Sequence, residues 1–252
     1  MREYEVERIR QLPPAGVIPG STPVPFFGDL NRAKVATLGW NPSDREFCEP
    51  FKKGESQGIK RLLSGSRRRL ETWESLGERN RSSPSPATML RILDGCKNYF
   101  DNNPYFWFNR FERILSRLGV SYKGGTACHL DFVQWATHSK WGKLKRPQRE
   151  ALLKDDVPFL REQLSQEQIK LLLLNGSGLV EVCRERLSCS LRETSHLNRI
   201  GWKFYVGDIS FAGPTEKTVK VIGWNKNLQS SFGVSNECVE AVAVAVEIAF
   251  RD

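Results

Sequence analysis

Four short stretches hold the residue types that could do chemistry. The first, Gly39-Trp40-Asn41-Pro42-Ser43-Asp44, sets an amide and a carboxylate three residues apart. An Asn carbonyl can orient a water but is a poor base, and Asn before Pro also starts turns. Asp44 could supply the missing carboxylate or simply cap a helix. The second, Cys128 to His138, contains Asp131, which could accept from a substrate donor or pair with a nearby backbone group or cation. The third, Asn175-Gly176-Ser177-Gly178, could hold an anion at a helix N-terminus or make a tight strand-to-helix turn. It is not a Walker loop, because no Gly-Lys-Ser/Thr follows. The fourth, Gly223 to Ser231, offers Lys226, Asn227, Gln229, Ser230 and Ser231, side chains suited to phosphate contacts.

Apolar periodicity supplies the elements that must position these loops. Lys34 to Gly39, Thr126 to Val133, Ile169 to Asn175, Trp202 to Val206 and Val219 to Gly223 read as strands. Helical spacing appears over 2–12, 86–99, 105–118, 147–165, 176–186 and 236–250, the last with Ser235 as N-cap. Alternating strands and helices predict an α/β fold, a three-layer sandwich around a central, mostly parallel sheet. Ligands in such folds bind outside the carboxyl ends of the strands, so the four loops should converge. A single domain over 1–252 is expected, with an N-terminal helix and arm over 1–30 and a basic, irregular insertion over 52–85. The arm holds five Pro and two Gly between positions 13 and 26.

Thirty-eight Lys and Arg against 29 Asp and Glu leave a formal charge of +9. Cations that neutralise phosphates release condensed counterions, so a polyanion partner fits this excess. The insertion, with Lys52, Lys53, Lys60 and Arg67 to Arg69, reads equally as a flap over DNA or as a solvated surface. Lys140, Trp141, Lys143, Lys145 and Arg146 form a second basic stretch, with Lys140 and Lys143 as DNA-contact candidates. Six Cys without a Cys-x-x-Cys pair argue against a local zinc or iron–sulfur site. No cofactor or metal is expected. The charged start of the chain and the short apolar runs predict neither signal peptide nor membrane span, hence free thiols in a reducing cytoplasm; a monomer is expected.

Leu38-Gly39-Trp40-Asn41-Pro42-Ser43 resembles the first active-site motif of the uracil-DNA glycosylase superfamily, in its Gly-x-Asn-Pro form. Cys128 to Trp135 is similar to the strand whose end carries the base-reading residue of that family. Ile222 to Ser231 is similar to the loop that wedges into DNA. The resemblance covers roughly residues 30–250 and implies an enzyme that flips out a base and hydrolyses its N-glycosidic bond. It places Asn41 on the attacking water and Ser43 with the DNA contacts. Phe47 (or Phe51), Trp135 and Trp224 fall on the flipped base. Leu228 becomes the wedge, flanked by Lys226, Asn227, Gln229 and Ser230 on the DNA.

The departures are informative. The fourth loop has no His, the fast uracil-specific Asp-Pro-Tyr-His form is absent, and so is any iron–sulfur Cys set. Asp131 stands where uracil readers place Asn. An ionised carboxylate only accepts, so it suits a cytosine-type N4 amino group and repels uracil O4. A cytosine with a foreign mark is the implied target, as in bacterial phage-defence members that remove glucosylated hydroxymethylcytosine. Uracil or a mismatched base, a non-catalytic DNA-binding module, and a nucleotide hydrolase are the competing expectations. Nothing marks Lys226 as an activated amine, so hydrolysis without strand cleavage is expected.

Overall fold

A computed structural model of the chain describes residues 1–49, 61–63, 68–103, 106–212, 216–229 and 232–251. The candidates Phe51 and Ser230, and the basic residues Lys52, Lys53, Lys60 and Arg67, lie outside them. The elements in chain order are α1 (Glu3–Arg10), β1 (Val35–Gly39), α2 (Pro86–Lys97), α3 (Tyr99–Asn102), α4 (Asn109–Arg117), β2 (Ala127–Asp131) and α5 (Arg146–Gln166). They continue with β3 (Leu171–Asn175), α6 (Ser177–Leu187), β4 (Arg192–Thr194), β5 (Phe204–Phe211), β6 (Lys217–Trp224) and α7 (Asn236–Arg251).

The chain has the expected α/β class. Where one domain was expected, it clusters into two compact units, each assembled from three chain segments. The first holds 1–27, 40–103 and 131–159; the second holds 28–39, 104–130 and 160–252.

The second unit carries a mixed six-stranded sheet among the described residues, in the order β2-β1-β3-β6-β5-β4. β3 pairs parallel with both β1 and β6, while β5 runs antiparallel to β6 and β4. β1 and β3 are buried along their whole length, as the unbroken apolar run Leu171–Leu174 requires of interior parallel strands. α6 packs on β3 and β6, and α7 packs on β6 and α4. Gly223 makes the α6 contact possible: a Cβ there would fall 2.9 Å from Val180 Cγ2 and 3.1 Å from Leu174 Cβ. Ser235 caps α7, its hydroxyl accepting the Cys238 N–H at 3.3 Å.

The first unit has little regular structure apart from α1, α2, α3 and most of α5, so its loops are held by specific bonds. The proline-rich arm is ordered and largely buried. Ile18 N–H donates to Ala136 O at 2.9 Å and Val24 N–H to Gln134 O at 2.8 Å, so the arm lies along the 131–138 loop. Inside the loop's turn sits a fully buried ion pair, Arg8 Nη2 to Asp156 Oδ2 at 2.6 Å. The same oxygen accepts the Gln134 N–H at 2.6 Å. The Arg8 guanidinium lies over the rings of Trp135 and Phe159, 5.2 and 4.8 Å from their centroids. Burial depresses the Arg8 pKa and raises that of Asp156, and each opposes the other's shift through its charge.

Candidate functional site

Strand β1 ends at Gly39, and two residues later comes Asn41, half-buried in the first unit. Its Nδ2 donates to Pro42 O at 3.0 Å, Trp135 O at 3.3 Å and Thr137 Oγ1 at 3.0 Å. Two of those acceptors are backbone carbonyls, which have no proton to give, so the nitrogen must be the atom that faces them. Among the described residues no donor bonds Asn41 Oδ1. The amide is therefore oriented through its nitrogen, and its oxygen takes no bond from the described residues.

The first two sequence motifs meet here. Val133 N–H donates to Trp40 O at 2.9 Å. The Trp40 ring lies 6.0 Å from Phe132 and stacks on Trp141 at 5.1 Å and 15°. Trp141 thus pins the basic stretch beside the residue preceding Asn41. Lys140, Lys143, Lys145 and Arg146 are exposed around it.

Ser43 and Asp44 occupy a short 3-10 turn, Asp44–Glu46, which Ser43 caps by accepting the Arg45 N–H at 3.2 Å. The Ser43 hydroxyl also donates to Asp44 Oδ1 at 3.3 Å. Both residues are half-buried. Asp131, at the end of β2, is buried.

The residue that sequence reasoning missed is Glu46, which is 2% exposed. Its Oε2 accepts the Tyr99 hydroxyl at 2.7 Å, and Arg69 Nη1 approaches Oε1 to 3.8 Å. Burial pushes the Glu46 carboxyl up to about 7; Tyr99 and Arg69 pull against this, and the charges of Asp131 and Asp44 reinforce it. Three carboxyl groups therefore interact in this unit, and one of them titrates near neutral pH, where acid–base work is done. The spacing Ser43-x-x-Glu46 is that of a capping box, the one local signal at this position. Here the Glu side chain turns to Tyr99 instead. The Tyr99 ring is set by an edge contact with Phe27 at 4.7 Å, and burial raises its pKa.

Two stacking candidates in this unit need correction. Phe47 and Trp135 are fully buried, Trp135 beneath Arg8, so neither presents a face to a base. Half-buried Trp40 is the aromatic next to Asn41 that retains exposed surface.

The second unit organises the fourth loop around Asn175, at the end of β3. Its Oδ1 accepts Trp224 Nε1–H at 2.9 Å and the Leu228 N–H at 2.8 Å. Its Nδ2 donates to Asn227 Oδ1 at 3.0 Å and to Gln229 Oε1. Gly176, at φ +109°, makes the turn after it. Asn175-Gly176 is thus a turn and loop anchor, the plainer of its two readings. Trp224 and Leu228 are 0% exposed, which corrects both expectations: Trp224 is core, and a wedge must reach solvent whereas Leu228 points inward. Arg110 fixes the backbone there by donating to Leu228 O. Lys226 and Asn227 remain exposed, and Gln229 is half-buried, donating to Trp107 O at 3.2 Å. His129 is a core residue, Nδ1 2.7 Å from Thr37 Oγ1 and packed edge-on against Trp107 and Phe108.

Among the described residues no cluster of three or more His, Cys, Asp or Glu is arranged to hold a metal ion, and no helix is long and apolar enough to cross a membrane. No protein-family model matches the chain, and the curated proteins contain no match to it.

Proposed function

We propose that the chain is a monofunctional DNA glycosylase that everts a modified, cytosine-derived base and hydrolyses its N-glycosidic bond. The observation that carries this reading is the Asn41 amide, clamped through Nδ2 with Oδ1 left to accept. A water held on that oxygen attacks C1′ while the C1′–N bond breaks, the electron pair leaving with the base. The sugar keeps the water's hydroxyl as an abasic site, and the departing base takes up a proton. Such reactions run through an oxocarbenium-like sugar, which fixed dipoles and carboxylates stabilise.

Asp131 is the base-reading candidate, accepting from an N4 amino group. Glu46 acts as a positioning residue. When protonated it is neutral and adds no anion to the site. Exposed Lys140, Lys143 and Lys226 are suited to backbone phosphates. The marked cytosine of phage DNA, in its glucosylated hydroxymethyl form, is the substrate that the resemblance and Asp131 favour together, and a phage-defence role follows from it.

The test is to incubate the protein with glucosylated phage DNA and with uracil-containing DNA and weigh the released base. Release of the modified cytosine supports the reading. Release of uracil alone overturns the substrate. Salt-dependent binding with no release from either DNA favours the non-catalytic module. A covalent adduct trapped by borohydride would contradict simple hydrolysis.

A further inference from the structure

In the second unit, α6 ends at Leu187 and Ser188 reverses the chain. Ser188 sits in the left-handed region at φ +55°, which no other non-glycine residue adopts among the described residues. The segment after it folds back on the helix. Arg184 Nη2 donates to Leu191 O at 3.0 Å, and its guanidinium lies over the Tyr205 ring, 4.9 Å from the centroid. Ser190 N–H donates to Asp208 O at 3.2 Å, which holds the returning segment against β5. This return sets Cys189 beside Cys183, and a hydrogen bond links the two thiols.

The two cysteines differ in access. Cys183 is 0% exposed, whereas Cys189 is 6% exposed and stands in the wall of a cleft of about 580 Å³, with Arg184, Arg192 and Asp208. The bond with Cys189, and then burial, push the Cys183 thiol up against the opposing charge of Arg184, so it keeps its proton at neutral pH. An oxidant entering the cleft meets Cys189 first, with a second thiol in contact behind it. Cys238 differs: it is half-buried, and its sulfur lies 3.5 Å from the Ser235 hydroxyl.

We propose that Cys183 and Cys189 form a redox-active dithiol, which a hydroperoxide closes to a disulfide. The Cys189 sulfur attacks one peroxide oxygen, and the O–O bond breaks. The other oxygen leaves with the electron pair and takes the thiol proton, leaving a sulfenic acid on Cys189. The Cys183 sulfur then attacks the Cys189 sulfur, the S–O bond breaks, and the hydroxyl leaves as water with the Cys183 proton. The two sulfurs lose two electrons and the peroxide gains them. The bond staples the end of α6 to the segment entering the edge strand β4. The site is independent of the glycosylase reading.

The test treats the full chain carrying Cys238→Ser with hydrogen peroxide and maps its tryptic peptides. Cleavage after Arg184 and Arg186 separates the two cysteines, so a disulfide joins two peptides. The parent should lose two hydrogens and show that link, which dithiothreitol reverses. Cys183→Ala should abolish the link and raise capture of a Cys189 sulfenic acid by dimedone about tenfold. Cys189→Ser should leave Cys183 unmodified. Phenylarsine oxide, which needs two adjacent thiols, should bind the parent one-to-one and neither single variant. Melting temperatures show whether each variant is folded; where one is not, the map of the parent decides. Both thiols left free in the folded parent, a link to another cysteine, or a Cys189 sulfenic acid that persists beside Cys183 would each overturn the proposal.

Discussion

Thr137 Oγ1 accepts from Asn41 Nδ2 at 3.0 Å while donating its own proton to Ser139 O at 2.7 Å. The hydroxyl is thereby fixed as an acceptor towards Asn41, and the amide as a donor towards it. Thr137→Val removes one of three anchors and should slow base release about tenfold, at a stability cost of about 1 kcal/mol. Asn41→Asp should be worse folded than Asn41→Ala. A carboxylate has no proton for Trp135 O or Pro42 O, and leaving those acceptors opposite an anion costs about 1–3 kcal/mol. Urea melts of the three variants check both statements.

The burial of the Glu46 carboxyl predicts a pH dependence with a definite sign. A folded-state carboxyl raised to about 7 from an ordinary 4.5 binds a proton that the unfolded chain has already lost. Its contribution is present below pH 4.5 and disappears as the pH rises through about 7. Glu46→Gln keeps the shape and removes the titration. It should match the native chain near pH 4.5 and exceed it at pH 8 by about 3 kcal/mol, an upper bound from the size of the shift. Stability curves at the two pH values test this; equal pH slopes for both proteins would contradict it.

Asp156 holds the 131–138 loop through the Gln134 N–H and neutralises Arg8. Removing one partner of a buried pair leaves an uncompensated charge. Asp156→Ala should therefore cost about 3–5 kcal/mol. Arg8→Met with Asp156→Leu together should recover much of the loss, which a double-mutant cycle in denaturant would show.

In the fourth loop, packing and the proposed DNA contact fall on different residues. Leu228 is fully buried, so Leu228→Ala should destabilise by about 2–5 kcal/mol. Lys226 is exposed, so Lys226→Gln should leave the melting temperature alone and lower the salt slope of DNA binding by about one. A stable Leu228→Ala that loses only DNA affinity would restore the wedge role.

The strands that carry the site were legible because burial on both faces demands unbroken apolar runs, as in Leu171–Leu174. Asn41 follows β1 and Asp131 closes β2, in keeping with those runs. The antiparallel half of the sheet was harder to see. The reading of β5 stopped at Val206, since Gly207 looks like a strand end, yet the strand continues to Phe211. Gly207 is needed inside it, because a Cβ there would fall 2.4 Å from Ser190 O. Glu46 was invisible because the burial that lifts its carboxyl towards neutrality, and the partners Tyr99 and Arg69 that oppose this, come from segments distant in the chain. Leu228 misled for the same reason: its neighbours are polar, and the residue that turns it inward is Asn175, 53 positions earlier. The weaving of two units from six segments leaves no mark in composition.

Single-turnover release of base from glucosylated hydroxymethylcytosine DNA by the native chain and by Asn41→Ala, with binding of the same DNA measured in parallel, bears most directly on the hydrolytic role. The account predicts release by the native chain, a rate lower by about 10²–10³ without the amide, and little change in affinity. Equal rates in the two proteins, or no base released by either, would contradict it.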